Sequence, residues 1–135
     1  KPIPVSPYYF KDRQRGMAIV GAAGPITNFI IAIIFIIILN WIQPEINSRV
    51  FEIFFLIFQV NIVLGLFNLI PIPPLDGSRV LGAFLPRSAY EKWVAVDRYG
   101  MLLVLVMIVL FQRQFFQMLR WAMLGLAKLF LTNYM

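Results

Sequence analysis

The sequence contains no histidine and no cysteine, and only six of its 135 residues are acidic. The absence of cysteine excludes disulfides. A catalytic zinc ion needs about three protein ligands drawn from His, Cys, Asp and Glu, together with an open position for water. None of the other acids is spaced so that it would share a helix face with Asp76, the carboxylate that the motifs below single out. Taken alone, this sequence therefore cannot hold a catalytic zinc ion.

Charged residues are also scarce, at 13%, whereas 61% of the residues are hydrophobic. With a mean hydropathy of +0.81, this composition indicates a membrane protein and not a soluble domain. The net charge of +6 does not indicate a nucleic-acid partner, because the basic residues are dispersed around apolar runs, where they suit anchors in the lipid head-group layer. We therefore expect the lipid bilayer as a partner and no nucleic acid.

The apolar runs predict an all-α membrane protein, a single domain over residues 1–135 that forms a bundle of about three to four transmembrane helices. The first run, residues 17–41, would be roughly 37 Å long as a helix, which exceeds a hydrocarbon core of about 30 Å. Further helices are predicted at 50–70, 94–111 and 115–134, with polar turns at 43–49 and 112–114. Whether the last helix crosses the membrane or lies along its surface stays open.

A proline-rich segment, NLIPIPPLDG, closes the second apolar run and spans Asn68 to Gly77. Proline lacks a backbone N–H and disfavours helical backbone in the preceding residue, so Pro71, Pro73 and Pro74 predict an extended loop from about Ile70 to Asp76. Extended backbone at membrane depth is tolerated where protein buries it or a water-filled cavity receives it. A carboxylate at the end of such a loop is a candidate functional group. The alternative is an ordinary turn between two membrane helices, with Asp76 in solvent.

Polar and small residues recur at helical spacing within the first two runs. Asn61, Gly65 and Asn68 fall on one face of the second predicted helix, which should point into the protein because amides facing lipid are costly. We expect Asn61 to fix helix packing and Gly65 to admit a neighbouring helix or a substrate backbone. In the first helix, close packing and an interhelical hydrogen bond are expected at a stripe formed by Gly21, Gly24 and Asn28.

The string FNLIPIPPLDGSRVL, together with GPITN upstream, resembles the site-2 protease family of intramembrane zinc metalloproteases. The opening KPIPVSPYYF and the segment DRYGMLLVL are similar to further parts of that family's domain. The resemblance implies that Asp76, in the LDG motif, is the third protein ligand of zinc, and that Asn68 lies beside the substrate carbonyl. The family's HExxH helix, which carries two zinc-binding histidines and the catalytic glutamate, is absent from this sequence.

The resemblance therefore implies the C-terminal part of a metalloprotease that is inactive by itself. Zn²⁺ would bind only if another chain or an N-terminal segment supplied HExxH. A zinc-bound water would then attack a peptide bond in an unwound transmembrane helix of a substrate protein, while Asn68 stabilised the tetrahedral intermediate. Residues 1–9, which the prolines predict to be non-helical, would form an edge strand or hairpin that pairs with the substrate, or else an interfacial loop.

Charge asymmetry predicts the orientation in the membrane. The juxtamembrane segment 1–16 and the loop 71–98, which should contain a short helix over 78–85, are both rich in Lys and Arg. The positive-inside rule places both in the cytoplasm and the turn 43–49 outside. We therefore expect a multi-pass protein of the bacterial inner membrane, with the LDG motif on the cytoplasmic side.

Two other functions compete with the protease hypothesis. A non-catalytic relative could use the same scaffold to bind membrane segments or to serve as a subunit of a larger membrane assembly, and the absence of histidine favours this alternative. A small channel or transporter subunit could use Asp76 as an ion or proton site, although the sequence has no internal repeats that would favour it.

Overall fold

A computed structural model describes residues 7–131 of the chain, and within that range all regular structure is helical. The predicted all-α class is therefore confirmed. The helices are α1 (Pro7–Ile42), α2 (Arg49–Asn68), α3 (Asp76–Gly82), α4 (Arg87–Ala95) and α5 (Gly100–Phe130), with one 3₁₀ turn at Val96–Tyr99. Three helical stretches are long and apolar enough to cross a membrane, namely Lys11–Ile42, Arg49–Asn68 and Arg87–Leu129.

The first helix begins earlier than the sequence indicated. It starts at Pro7, so residues 7–9 are helical and the prediction of a non-helical segment is wrong for them. Proline suits the first turn of a helix, where its missing N–H leaves no hydrogen bond unmade. The strand or hairpin predicted for residues 1–9 otherwise falls on residues 1–6, which lie outside the described residues.

A tight turn joins α1 to α2. Gln43 adopts a left-handed backbone with φ 50°, and its N–H donates to the Leu39 carbonyl at 3.0 Å. This conformation ends α1, and the following Pro44 cannot continue it. Ser48 then caps α2, since its hydroxyl oxygen accepts the N–H of Phe51 at 3.2 Å. The two helices therefore form an antiparallel hairpin.

The hydrophobic core lies between the two arms of this hairpin. Ala32, Ile36 and Leu39 of α1 are fully buried against Phe58 and Ile62 of α2, and Leu131, just beyond α5, packs on the same cluster. The outward faces of all three long helices carry exposed Ile, Leu, Val and Phe side chains. A helix that is apolar on its exposed face suits a lipid environment.

The fifth helix is kinked next to the break that the sequence predicted. A turn was expected at Gln112–Gln114, and α5, which runs from Gly100 to Phe130, leaves helical backbone at Phe111, where φ is −116° and ψ 16°. The polar triplet itself is helical, since it contains no glycine or proline and Gln and Arg are good helix formers. The predicted break is thus found as a kink one residue earlier, and it divides α5 between the predicted helices 94–111 and 115–134.

Candidate functional site

The proline-rich segment turns back on itself, and the prediction that it runs extended is wrong. After α2 ends at Asn68, the Ile72 N–H donates to the Ile70 carbonyl at 2.8 Å and the Leu75 N–H to the Ile72 carbonyl at 2.9 Å. Ile72 and Leu75 are not prolines, so they retain the N–H groups that form these turns. Pro73 is buried, whereas Pro71 and Pro74 are exposed, and the Pro73–Pro74 peptide is cis. The segment therefore brings the chain back to the end of α2.

Helix α3 begins at Asp76 and ends at Gly82, so the short helix predicted over 78–85 starts two residues earlier and is shorter. An acidic residue in the first turn favours this start, because it interacts well with the exposed N–H groups there. The hydroxyl of Ser78 donates to the carbonyl of Leu75 at 2.7 Å and fixes the entry into the helix.

Gly77 lies directly against the backbone at the end of α2. A methyl group at this position would overlap the carbonyl of Leu69 and would lie 2.7 Å from the Ile70 carbonyl oxygen. Because both neighbours are backbone atoms, they cannot rotate away as a side chain could. Glycine is therefore required here, and its close contact places Asp76 beside the end of the helix that carries Asn68.

The small-residue stripe of α1 packs against α3. A methyl group at Gly21 would lie 2.8 Å from the Asp76 carbonyl oxygen, and one at Gly24 would lie 2.7 Å from Oδ2 of Asp76. The Asp76 carboxylate therefore rests on the surface of α1, with its side chain 28% exposed, and Arg79 Nη1 lies 3.8 Å from Oδ1. The arrangement holds the carboxylate between α1 and Arg79 while leaving part of it accessible.

Long-range hydrogen bonds join α1 to the end of α3, and α4 to α3. Gln14 of α1 is only 6% exposed, and its Nε2 donates to the carbonyls of Gly82 and, at 2.9 Å, of Leu85. Trp93 Nε1 of α4 donates to the Ser78 carbonyl of α3 at 2.9 Å. Gln14 was not among the predicted site residues, although it precedes Gly21 by seven residues and so falls on the same helix face.

The side-chain amides of α2 have different surroundings. Asn61 donates to the Ile57 carbonyl of its own helix at 2.8 Å, and Gly65 is packed against the ring of Phe29 from α1. Asn68 is the last residue of α2 and is half-buried. Among the residues that the structure describes, the side chains of Asn28 and Asn68 make no hydrogen bond to another residue. The Asn68 amide is therefore available to a ligand.

The residues of this site do not by themselves fit a zinc ion. Within residues 7–131, no group of three or more His, Cys, Asp and Glu side chains could hold a metal ion, and the whole sequence has no His or Cys. Asp76 provides a single carboxylate, with a cationic guanidinium as its neighbour. A catalytic zinc needs about two further protein ligands.

Comparison with known sequences identifies the family. Residues 41–111, from the end of α1 to the kink in α5, match the sequence profile of Peptidase family M50. The chain belongs to this family, the site-2 proteases. The family relationship and the three apolar helices together indicate an integral membrane protein.

Two relatives cover different shares of the chain. A Bacillus subtilis protein named provisionally as zinc metalloprotease YwhC is 34% identical over 116 residues, which are 81% of this chain and 53% of YwhC. The zinc metalloprotease MJ0392 of Methanocaldococcus jannaschii is 33% identical over 88 residues, 64% of this chain and 25% of that protein. The chain thus spans about half or less of the length of these relatives. No solved structure matches.

Replacing Gly77 by alanine tests the contact that joins α3 to α2. We expect Gly77→Ala to lower the free energy of unfolding by about 1–3 kcal/mol, the usual cost of forcing a methyl group into a closely packed position. The control is Gly125→Ala in α5, where a methyl group would meet nothing within 4 Å and should be neutral or slightly stabilising. Thermal unfolding in mild detergent measures both variants. Equal stability of the two would contradict the contact.

Proposed function

We propose that this chain is part of an intramembrane zinc metalloprotease, in which Asp76 provides one metal ligand and Asn68 binds the peptide that is cut. The observation that carries the proposal is the contact of Gly77 with Leu69 and Ile70. This contact brings the segment that carries Asp76 against the end of the helix that carries Asn68, whose amide makes no hydrogen bond to another described residue. The names of the relatives support a role in zinc-dependent proteolysis.

The proposed role of Asp76 follows from how the structure holds it. The carboxylate rests on Gly24, so α1 restricts its movement on one side, and Arg79 lies on another. A carboxylate held in this way is prepared to act as a ligand without a large loss of side-chain entropy. Since residues 7–131 contain no group of ligands that could hold a metal ion, the remaining ligands would come from a histidine-bearing segment outside this sequence or from another chain.

The proposed role of Asn68 is to donate a hydrogen bond. Its side chain extends from the last turn of α2, next to the chain reversal that returns to Asp76. An amide N–H at this place can bind the carbonyl of a substrate peptide and stabilise the negative charge that develops on its oxygen during hydrolysis. The substrate would be the transmembrane segment of another protein, locally unwound so that its backbone reaches this end of the helices.

Replacing Asn68 tests this role in the full-length protein reconstituted with a cleavable transmembrane substrate. We expect Asn68→Ala to lower kcat by about 100- to 1000-fold, the usual effect of losing one oxyanion donor. The matched control is Asn61→Ala on the same helix, because that amide bonds to its own helix at the Ile57 carbonyl. Its kcat should stay close to that of the wild type.

Two results would argue against the proposal. An Asn68→Ala variant with the same kcat as the Asn61→Ala variant would exclude Asn68 from catalysis. A full-length protein that folds, binds transmembrane segments and cleaves none of them would favour the non-catalytic scaffold instead.

We also propose that the end of the bundle carrying Asp76 faces the cytoplasm of a bacterial cell. The hydrogen bonds of Gln14 to Gly82 and Leu85 put the basic start of α1 and the basic α3–α4 region at one end. The positive-inside rule favours the cytoplasm for such an end.

Cysteine labelling of intact cells tests this orientation, because the chain has no cysteine of its own. Single cysteines are introduced at Ser88 in α4 and at Asn47 in the α1–α2 turn, both exposed. We expect a membrane-impermeant thiol reagent to label Asn47→Cys in intact cells and Ser88→Cys only after the cells are opened. The reverse pattern would contradict the proposed orientation.

A further inference from the structure

A cavity of about 420 Å³ lies at the same end of the molecule, between the start of α1, α3 and α4. Three arginines from three different helices line it: Arg13 from α1, Arg79 from α3 and Arg87 from α4. Glu91 and Asp97 line it as well, so the lining carries three positive and two negative charges. Cations that the fold brings together repel one another unless negative charge balances them. The cavity is therefore a candidate site for an anion.

The acidic residues around the cavity do not neutralise all three arginines. Arg87 pairs with Glu91 at 3.5 Å, and Arg79 reaches Asp76 at 3.8 Å. Among the side chains that the structure describes, no carboxylate lies within ion-pair distance of Arg13. Asp97 also lines the cavity, without pairing with any of the three. The guanidinium of Arg13 is thus the group most available to an anionic ligand.

The surroundings of the cavity combine charge with apolar surface. Met17, the first residue of the long apolar run of α1, lines it, and Val20, three residues further along the same helix, is exposed. Trp93 forms part of the wall, and tryptophan is typical of the layer where lipid head groups meet hydrocarbon. The cavity therefore opens where a charged head group and an alkyl chain would both be accommodated.

We propose that this cavity binds a phosphate-bearing anion, in the form of the head group of an anionic phospholipid. Guanidinium groups bind phosphate through paired, charge-assisted hydrogen bonds. Arg13 is the principal contact, and Arg87 approaches from the opposite helix. This binding site goes beyond the proposed protease function and does not depend on it, because it uses neither Asp76 nor Asn68.

The fluorescence of Trp93 can report on the cavity. The chain has three tryptophans, and the other two, Trp41 and Trp121, are 87% and 78% exposed, so both can be replaced by phenylalanine with little loss of packing. The full-length protein, in which any tryptophan outside this sequence is also replaced by phenylalanine so that Trp93 is the reporter, is placed in bilayer discs of phosphatidylcholine. Phosphatidylglycerol then replaces this lipid stepwise, and inorganic phosphate is added in a parallel series.

The decisive comparison is Arg13→Gln against Arg15→Gln. Both changes remove one positive charge from the same helix at nearly the same depth, but only Arg13 lines the cavity. We expect a saturable response to phosphatidylglycerol whose midpoint rises about tenfold or more in Arg13→Gln, the usual effect of losing a hydrogen bond between charged groups. In Arg15→Gln the midpoint should change less than about twofold, as expected for an exposed charge.

A second variant tests whether the effect of Arg13→Gln comes from lost binding and not from lost folding. Arg87→Gln, on a different helix, should also raise the midpoint, and thermal unfolding checks that both variants fold. Arg79 is left unchanged because it also contacts Asp76.

Each outcome decides the proposal. Saturation with phosphatidylglycerol and not with inorganic phosphate supports a lipid head group, whereas saturation with inorganic phosphate supports the same anion site with free phosphate as its ligand. Equal midpoints for Arg13→Gln and Arg15→Gln would overturn the proposal, because they would show only general attraction of a basic protein to an anionic membrane. The absence of a saturable response to either anion would overturn it as well.

Discussion

The close approach of α3 to the α1–α2 hairpin is the constraint on which the rest of the structure depends. It leaves no room for a methyl group against the backbone at Gly21, under α3, or at Gly77, at the end of α2, and it places Gly24 against the Asp76 carboxylate. A side chain at any of them would meet atoms of the neighbouring element at 2.8 Å or less. This close packing holds the short helix α3 against α1 and α2, and so fixes the carboxylate of Asp76 relative to both membrane helices.

Hydrogen bonds hold one part of the molecule together, whereas α5 is packed more loosely. Gln14 satisfies two carbonyl groups after α3, and Trp93 ties α4 to the same helix. By contrast, α5 buries little of its surface and meets the proline-rich segment at Gly100, which packs against Pro74. Helices α1, α2 and α3 therefore hold the candidate site, and α5 packs more loosely beside them.

Long hydrophobic runs in the sequence predicted more of the fold than individual helix-breaking residues such as proline did. Hydrophobic runs predicted the all-α class, and the polar triplet Gln112–Gln114 predicted a break that the structure has one residue earlier, as the kink at Phe111. The three prolines predicted where α2 ends, but the turns after it depend on the N–H groups of Ile72 and Leu75. The motif spacing selected Asp76 and Asn68 through the resemblance, and their roles stay predictions. The packing of the segment that carries Asp76 against the end of α2 depends on Gly77, and no local pattern specifies that contact.

The measurement that tests the central claim most directly is the zinc content of the full-length protein purified from its own membrane. Wild type is compared with Asp76→Ala and with Asp12→Ala, which removes an exposed carboxylate near the start of α1. If Asp76 is a metal ligand, wild type and Asp12→Ala should hold about one zinc ion per protein and Asp76→Ala clearly less. Unchanged zinc in a folded Asp76→Ala variant would contradict the claim.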